Sequence, residues 1–189
     1  MQRDFSQIIT PLGNDKIIKK KIPSAKVICL DWHEGIEVTP SLKVHLTPSQ
    51  HWSARGYTDR NKALWGAFVI STSNGNIFFC GDSGYANGHI FRKLHEEYGN
   101  FRLALLTIGA YEPRWFMKYA HMNPEEAVMA LRDLGQPYGL AIHFETFRLT
   151  DEGFDDPRKH LAAACKTYNI DSSRFRTLEV GEAWLVPAI

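Results

Sequence analysis

The chain has 189 residues, 44% of them hydrophobic and 23% charged, which suits one domain with a substantial core and leaves little room for a second. With 22 Lys and Arg against 21 Asp and Glu, the formal net charge is +1, so no global basic field argues for a nucleic-acid partner. Cys29, Cys80 and Cys165 are odd in number and widely spaced, which argues against a disulfide framework or a thiolate zinc site and for reduced thiols.

No apolar stretch approaches the roughly 20 residues that cross a bilayer. The polar start of mixed charge lacks the marks of a signal peptide. A cytoplasmic protein is expected, peripheral to the membrane at most. The one basic cluster, Lys16 to Lys21, reads as a solvated turn and strand edge, with contact to anionic lipid headgroups as the alternative.

In chain order, Lys26–Leu30 and Gly35–Val38 are β-prone, and Leu42–Leu46 alternates with a period of two. Residues 47–61 have no periodicity and predict a loop, with His51 inside it. Leu64–Ser71 and Asn76–Cys80 predict a hairpin turned at Ser73-Asn74-Gly75, where Asn-Gly supplies positive φ angles. Asp82 follows at the carboxyl end of the second strand.

Ile90, Phe91, Leu94 and Tyr98 have helical spacing up to Gly99, and Leu103–Ile108 is an apolar run of buried-strand length. Asn123, Pro124 and Glu126 form an N-cap, an N1 proline and the third member of a capping box. Ala127, Val128, Ala130, Leu131 and Leu134 give that helix its apolar face, and Gly135 ends it. Tyr138–Ile142 predicts a strand with His143 at its end. Asp156-Pro157 starts a last helix, and strands are expected at 177–180 and 183–186 around Gly181-Glu182. Trp65, Phe68, Phe78, Phe79 and Trp184 are expected in the core. The alternation of strands and helices predicts an α/β unit, with Asp82 and His143 at the sheet edge where such folds collect ligands.

Imidazole and carboxylate are the donors of catalytic zinc sites. Taken singly, each has an ordinary alternative: a lone His at a strand end is more often structural, and Gly-Asp-Ser-Gly also suits a turn whose Asp accepts backbone N–H bonds. No Gly-x-Ser-x-Gly elbow and no Cys with a neighbouring His supplies a protein nucleophile. His33, His45, His89, His95 and His160 have no motif around them and are expected in surface or structural roles.

Four segments, however, occur together and in order: Ser49-Gln50-His51-Trp52, Gly81-Asp82-Ser83-Gly84-Tyr85, Ile108 to Lys118 (with Tyr111-Glu112-Pro113-Arg114-Trp115), and Ala141-Ile142-His143-Phe144. In this wording the chain, from about Ile8 onward, resembles the metallo-β-lactamase superfamily, in the branch of N-acylphosphatidylethanolamine-hydrolysing phospholipase D and its bacterial relatives. The resemblance implies His51 as a ligand of a first zinc, Asp82 as the carboxylate bridging two zincs, and His143 as a ligand of the second. It implies catalytic roles for Asp82 and for His121, which lies beside the site. Tyr111 and Trp115 are candidates for substrate binding, with packing as the alternative.

The resemblance further implies a zinc-dependent hydrolase that uses a metal-bound hydroxide, acting on a lipid phosphodiester such as an N-acylphosphatidylethanolamine. Lactones, amides and thioesters are the other bond classes. The His-x-His-x-Asp-His run of such enzymes is absent from the sequence. Residues 1–189 are therefore expected to be one unit, the C-terminal half of an αβ/βα sandwich with a mixed sheet and flanking helices. Such a fragment is expected to hold zinc weakly and to be inactive alone, with a truncated, non-enzymatic remnant as the rival reading. It is also expected to expose an apolar face and to form a homodimer or pair with an N-terminal half.

Overall fold

Seven strands form one mixed sheet whose spatial order repeats their order along the chain. They are β3 (Gly35–Thr39), β4 (Leu42–Thr47), β5 (Ala67–Thr72), β6 (Gly75–Phe79), β7 (Phe101–Thr107), β8 (Tyr138–Ile142) and β9 (Phe175–Arg176). β3 to β6 pair antiparallel, and β7, β8 and β9 each join parallel. The change of sense follows the connections, since a parallel neighbour needs a crossover. The three crossovers carry α2 (His89–Tyr98), α4 (Pro124–Asp133) and α5 (Asp156–Thr167). A separate pair, β1 (Ile8–Pro11) and β2 (Val27–Leu30), is parallel and joined through α1 (Asp15–Lys21). This computed structural model describes residues 7–188.

The pleat divides the sheet's residues between two faces. Val69, Phe78 and Ala104 are in register and buried in one core with Phe91 and Leu94 of α2, Val128 and Leu131 of α4, and Leu161 and Cys165 of α5. Each such large side chain contributes about 1.5–3 kcal/mol on leaving water. On the other face Phe68, Phe79, Leu105 and Leu140 stand in register across four strands, and none is buried.

The predicted strand–helix sequence from β6 onward is present, and the α4 capping box closes as read: Glu126 N–H donates to Asn123 Oδ1 at 2.8 Å and Asn123 N–H to Glu126 Oε2 at 3.2 Å. Other expectations need correction. The Lys16–Lys21 cluster is helical (α1), not a turn and strand edge, and α1 buries no residue. The hairpin forms, but Gly75 alone of its turn has positive φ, 107°. Leu64 and Trp65 stay outside β5 because Leu64 N–H bonds to the Leu12 carbonyl and the Trp65 indole to the Ser49 carbonyl. The two strands expected after residue 176 are absent; Arg102 instead holds that tail through the Val186 and Pro187 carbonyls. Of the five aromatics expected in the core, Phe78 alone is buried, and Phe79 is 40% exposed.

Candidate metal centre

β4, β6, β7 and β8 run in the same direction, so the loops leaving their carboxyl ends share one edge of the sheet. His51 leaves β4, Asp82 leaves β6, and His143 leaves β8. His121 sits between α3 (Arg114–Met117) and α4. Ser83, buried between them, links three of these loops. Its Oγ accepts the Gln50 N–H at 3.0 Å, and its carbonyl accepts the Met122 N–H at 3.0 Å. Gly84 is required where the Asp82 loop crosses the next one, since a Cβ there would lie 2.1 Å from the Tyr119 carbonyl oxygen. A Cβ on Gly109 would lie 2.1 Å from the His143 carbonyl oxygen, so that glycine lets the β7 loop pass behind the histidine. His143 itself is held at φ 62°, an uncommon value for a side-chain-bearing residue.

The Asp82 carboxylate stands between two imidazoles, with Oδ2 3.9 Å from His51 Nε2 and Oδ1 3.4 Å from His143 Nε2. The His121 ring meets that of His51 edge-on at 5.1 Å and that of His143 at 5.5 Å. His51 Nδ1 lies 2.7 Å from the Trp52 carbonyl oxygen. A carbonyl only accepts, so Nδ1 carries a proton, and Nε2 is the nitrogen turned towards Asp82. Burial pushes the His121 pKa down to about 4; Asp82 opposes this, and His51 and His143 add to it. His121 is therefore neutral at neutral pH.

Three ring nitrogens in this group, His51 Nε2, His121 Nδ1 and His143 Nδ1, are buried without a hydrogen-bond partner. A buried polar atom left unpaired costs about 1–3 kcal/mol. Of the three, His51 Nε2 faces Asp82, and a cation between them would pair it; a ligating imidazole usually donates its other N–H to a carbonyl, as His51 does, whereas His143 turns Nε2 to Asp82 and leaves Nδ1 unpaired. Among the described residues, though, no three His, Cys, Asp or Glu side chains are placed to hold a single ion. What the chain offers is one histidine and one Asp82 oxygen on each side.

A family model described as the beta-lactamase superfamily domain matches residues 4–144. The chain belongs to the metallo-β-lactamase superfamily. It is 34% identical over 183 residues to N-acyl-phosphatidylethanolamine-hydrolyzing phospholipase D 1 of Caenorhabditis elegans, covering 92% of this chain and 51% of the relative. It is 37% identical over 141 residues to the mitochondrial N-acyl-phosphatidylethanolamine-hydrolyzing phospholipase D of Saccharomyces cerevisiae, covering 71% and 30%. The chain thus spans about half or less of the length of these curated relatives. The fold is shared with a metallo hydrolase from the archaeon Ignicoccus hospitalis, at TM-score 0.65 and 19% identity over 93% of this chain and 66% of that one.

Within this metallo-β-lactamase superfamily chain the two residues read as substrate contacts fare differently. Tyr111 is 2% exposed and its hydroxyl meets His160 Nδ1 at 2.8 Å, so it packs and presents no open face to a ligand. Trp115 stands on α3 at 86% exposure, beside Phe116. The five histidines without motif support lie outside the cluster; His45 packs on Tyr98, and His160 serves Tyr111. Sequence reading missed Ser83, and it missed Glu152, whose carboxylate accepts the Ala110, Tyr111 and Glu112 N–H groups at 2.6, 3.3 and 3.0 Å. Ser83 at least sat inside a recognised motif; Glu152 is 40 residues from the loop it braces. Among the described residues no helix is long and apolar enough to cross a membrane.

Proposed function

We propose that this chain forms part of a binuclear zinc-dependent hydrolase acting on a phosphodiester of a lipid. The observation that carries the reading is the Asp82 carboxylate set between His51 Nε2 and His143 Nε2, with His51 Nε2 otherwise buried and unpartnered. The lipid phosphodiester is supported by the two relatives named as N-acyl-phosphatidylethanolamine-hydrolyzing enzymes.

His51 and one Asp82 oxygen would hold one ion, and His143 and the other oxygen the second. When bound, the zinc pair supplies a nucleophilic water at neutral pH and countercharge for the developing oxyanion. The rest belongs to the chain. The Trp52 carbonyl fixes the His51 tautomer, and the Asp82 carboxylate spans the two histidines. His121, kept neutral by burial, offers a ring nitrogen to a polar group of the substrate or to a departing proton.

Replacing Asp82 by Asn in a protein carrying the complete ligand set is expected to lower turnover by at least about 100-fold and to reduce zinc content. Near-normal turnover with full zinc content would overturn the reading.

A second reading is favoured by the split donor set. On its own the chain is a weak metal binder without turnover, and completes its site with a second copy or a complementary segment laid over the Phe68–Phe79–Leu105–Leu140 row. Sedimentation of a dilute, well-folded, zinc-saturated monomer would contradict it.

A further inference from the structure

Beyond His143 the chain folds back over a cavity of about 290 Å³, which His143 itself helps to wall. The remaining lining is largely apolar, with Ala110, Phe144, Phe147, Leu149 and Phe154 around it. Two carboxylates also border the cavity, and both are already satisfied. Glu152 accepts three backbone N–H groups and the Thr150 hydroxyl, the last at 2.7 Å. Glu145 receives Arg158 Nε at 2.7 Å. Neither carboxylate has charge to spare for a ligand, and Arg148, the cation in the lining, is solvent-exposed, which leaves the apolar side chains as the cavity's main offering.

These anchors also keep the cavity open. Arg158 ties residue 145 to the Leu178 carbonyl and the Thr177 hydroxyl, and Glu152 ties the far end of the segment to the loop after β7. Between the two anchors the mouth presents Phe147 at 76% exposure and Leu149 at 65%, with Phe154 just beyond at 59%. Large apolar side chains held around an open mouth, with a candidate metal ligand in the wall, describe a subsite continuous with the reacting centre.

We propose that this cavity takes the first stretch of an apolar chain attached to the scissile group, and that longer chains leave through the Phe147–Leu149–Phe154 mouth. At roughly 30 Å³ per water-sized group, the volume suits on the order of ten carbons. The proposal rests on the hydrolase reading above for the word substrate, though not for the binding itself.

The test uses the full 189-residue chain without added metal and a series of n-alkylphosphocholines, kept below their micelle concentrations and followed by amide NMR shifts. Affinity is expected to rise about fourfold per added methylene and to level off near ten carbons, with shifts centred on residues 146–154. Thr146→Trp, at an exposed lining position, should plug the cavity and remove the chain-length dependence; Leu149→Trp is a second plug should the first perturb folding. Lys93→Ala, on the exposed side of α2 away from the cavity, should leave alkyl binding unchanged. An affinity independent of chain length, shifts centred elsewhere, or a plugged variant that still discriminates would overturn the proposal. So would self-association that covers residues 147–154 and excludes the probe. No hydrolysis by a zinc-loaded protein carrying the complete ligand set, with chain-length-dependent binding intact, would instead count against the hydrolase reading alone.

Discussion

His51 Nε2 and Asp82 Oδ2 face each other across 3.9 Å with no hydrogen bond between them, while the opposite side of the His51 ring is tied to the Trp52 carbonyl. The imidazole is held with Nε2 aimed at a carboxylate, an arrangement that a cation between them would stabilise.

Zinc should therefore stabilise the chain. At a free concentration about 100 times the dissociation constant, the gain is about 2.7 kcal/mol, or a rise of roughly 5–10 °C in Tm for a chain of this size. Calorimetry with and without a chelator measures it. His51→Ala and His143→Ala should each cut the rise, and an unchanged midpoint in all three proteins would rule out ion binding here.

Glu152 makes the same loop region sensitive to acid. Burial alone would raise its pKa, but the Thr150 hydroxyl and the Glu112 and Ala110 N–H groups outweigh that and hold it below its usual 4.5. A depressed folded pKa contributes stability that is complete above the unfolded value and is lost as pH falls through the folded one. Glu152→Ala should cost about 1–3 kcal/mol at pH 7, allowing for partial exposure. The gap between wild type and variant should narrow below about pH 4.5; denaturant titrations across pH 3–7 would show it, and a gap flat across that range would exclude the mechanism.

Arg158 and Glu145 brace the loop that carries His143. Residues 143 and 145 both have positive φ, 62° and 52°, and the Arg158 guanidinium lies over the Phe144 ring between them. Arg158→Met is expected to weaken zinc binding about 10–100-fold. A double-mutant cycle with Glu145→Gln should give a coupling of about 1–2 kcal/mol. Additive losses would mean the pair does not act as a unit.

Gly109→Ala should disturb the site through His143. The added Cβ would meet the His143 carbonyl oxygen at 2.1 Å, so backbone has to move. A cost of about 1–3 kcal/mol is expected, with weaker zinc binding as His143 shifts. A variant as stable and as zinc-responsive as wild type would show that the crossing has slack.

The parts legible in the sequence are those whose cause is local. The Asn123-Pro124-x-Glu126 cap closes within four residues, and the apolar runs of β7 and β8 announce buried strands. Motif wording, not spacing, pointed to His51, Asp82 and His143, because their proximity depends on strands up to 92 positions apart. What stayed hidden depends on partners distant in the chain. Tyr111 looked available for a ligand until His160 was found against it, 49 residues away. The tail looked strand-prone, but β8 had already taken Phe175 and Arg176 as its last neighbours. The Lys-rich α1 has no buried face to give a periodic signal.

The sheet adds its strands in the order in which they are synthesised. Each new strand of this sheet emerging from a ribosome finds its hydrogen-bonding neighbour already in place, so β3 to β6 can assemble as an antiparallel run before the sheet's first crossover is translated. The reacting edge then accumulates in the same direction: His51 first, Asp82 next, His121 after it, His143 last. The final histidine closes the cluster only when β8 has docked, which makes His143 the residue whose placement reports that the growing sheet has been built in full up to that strand.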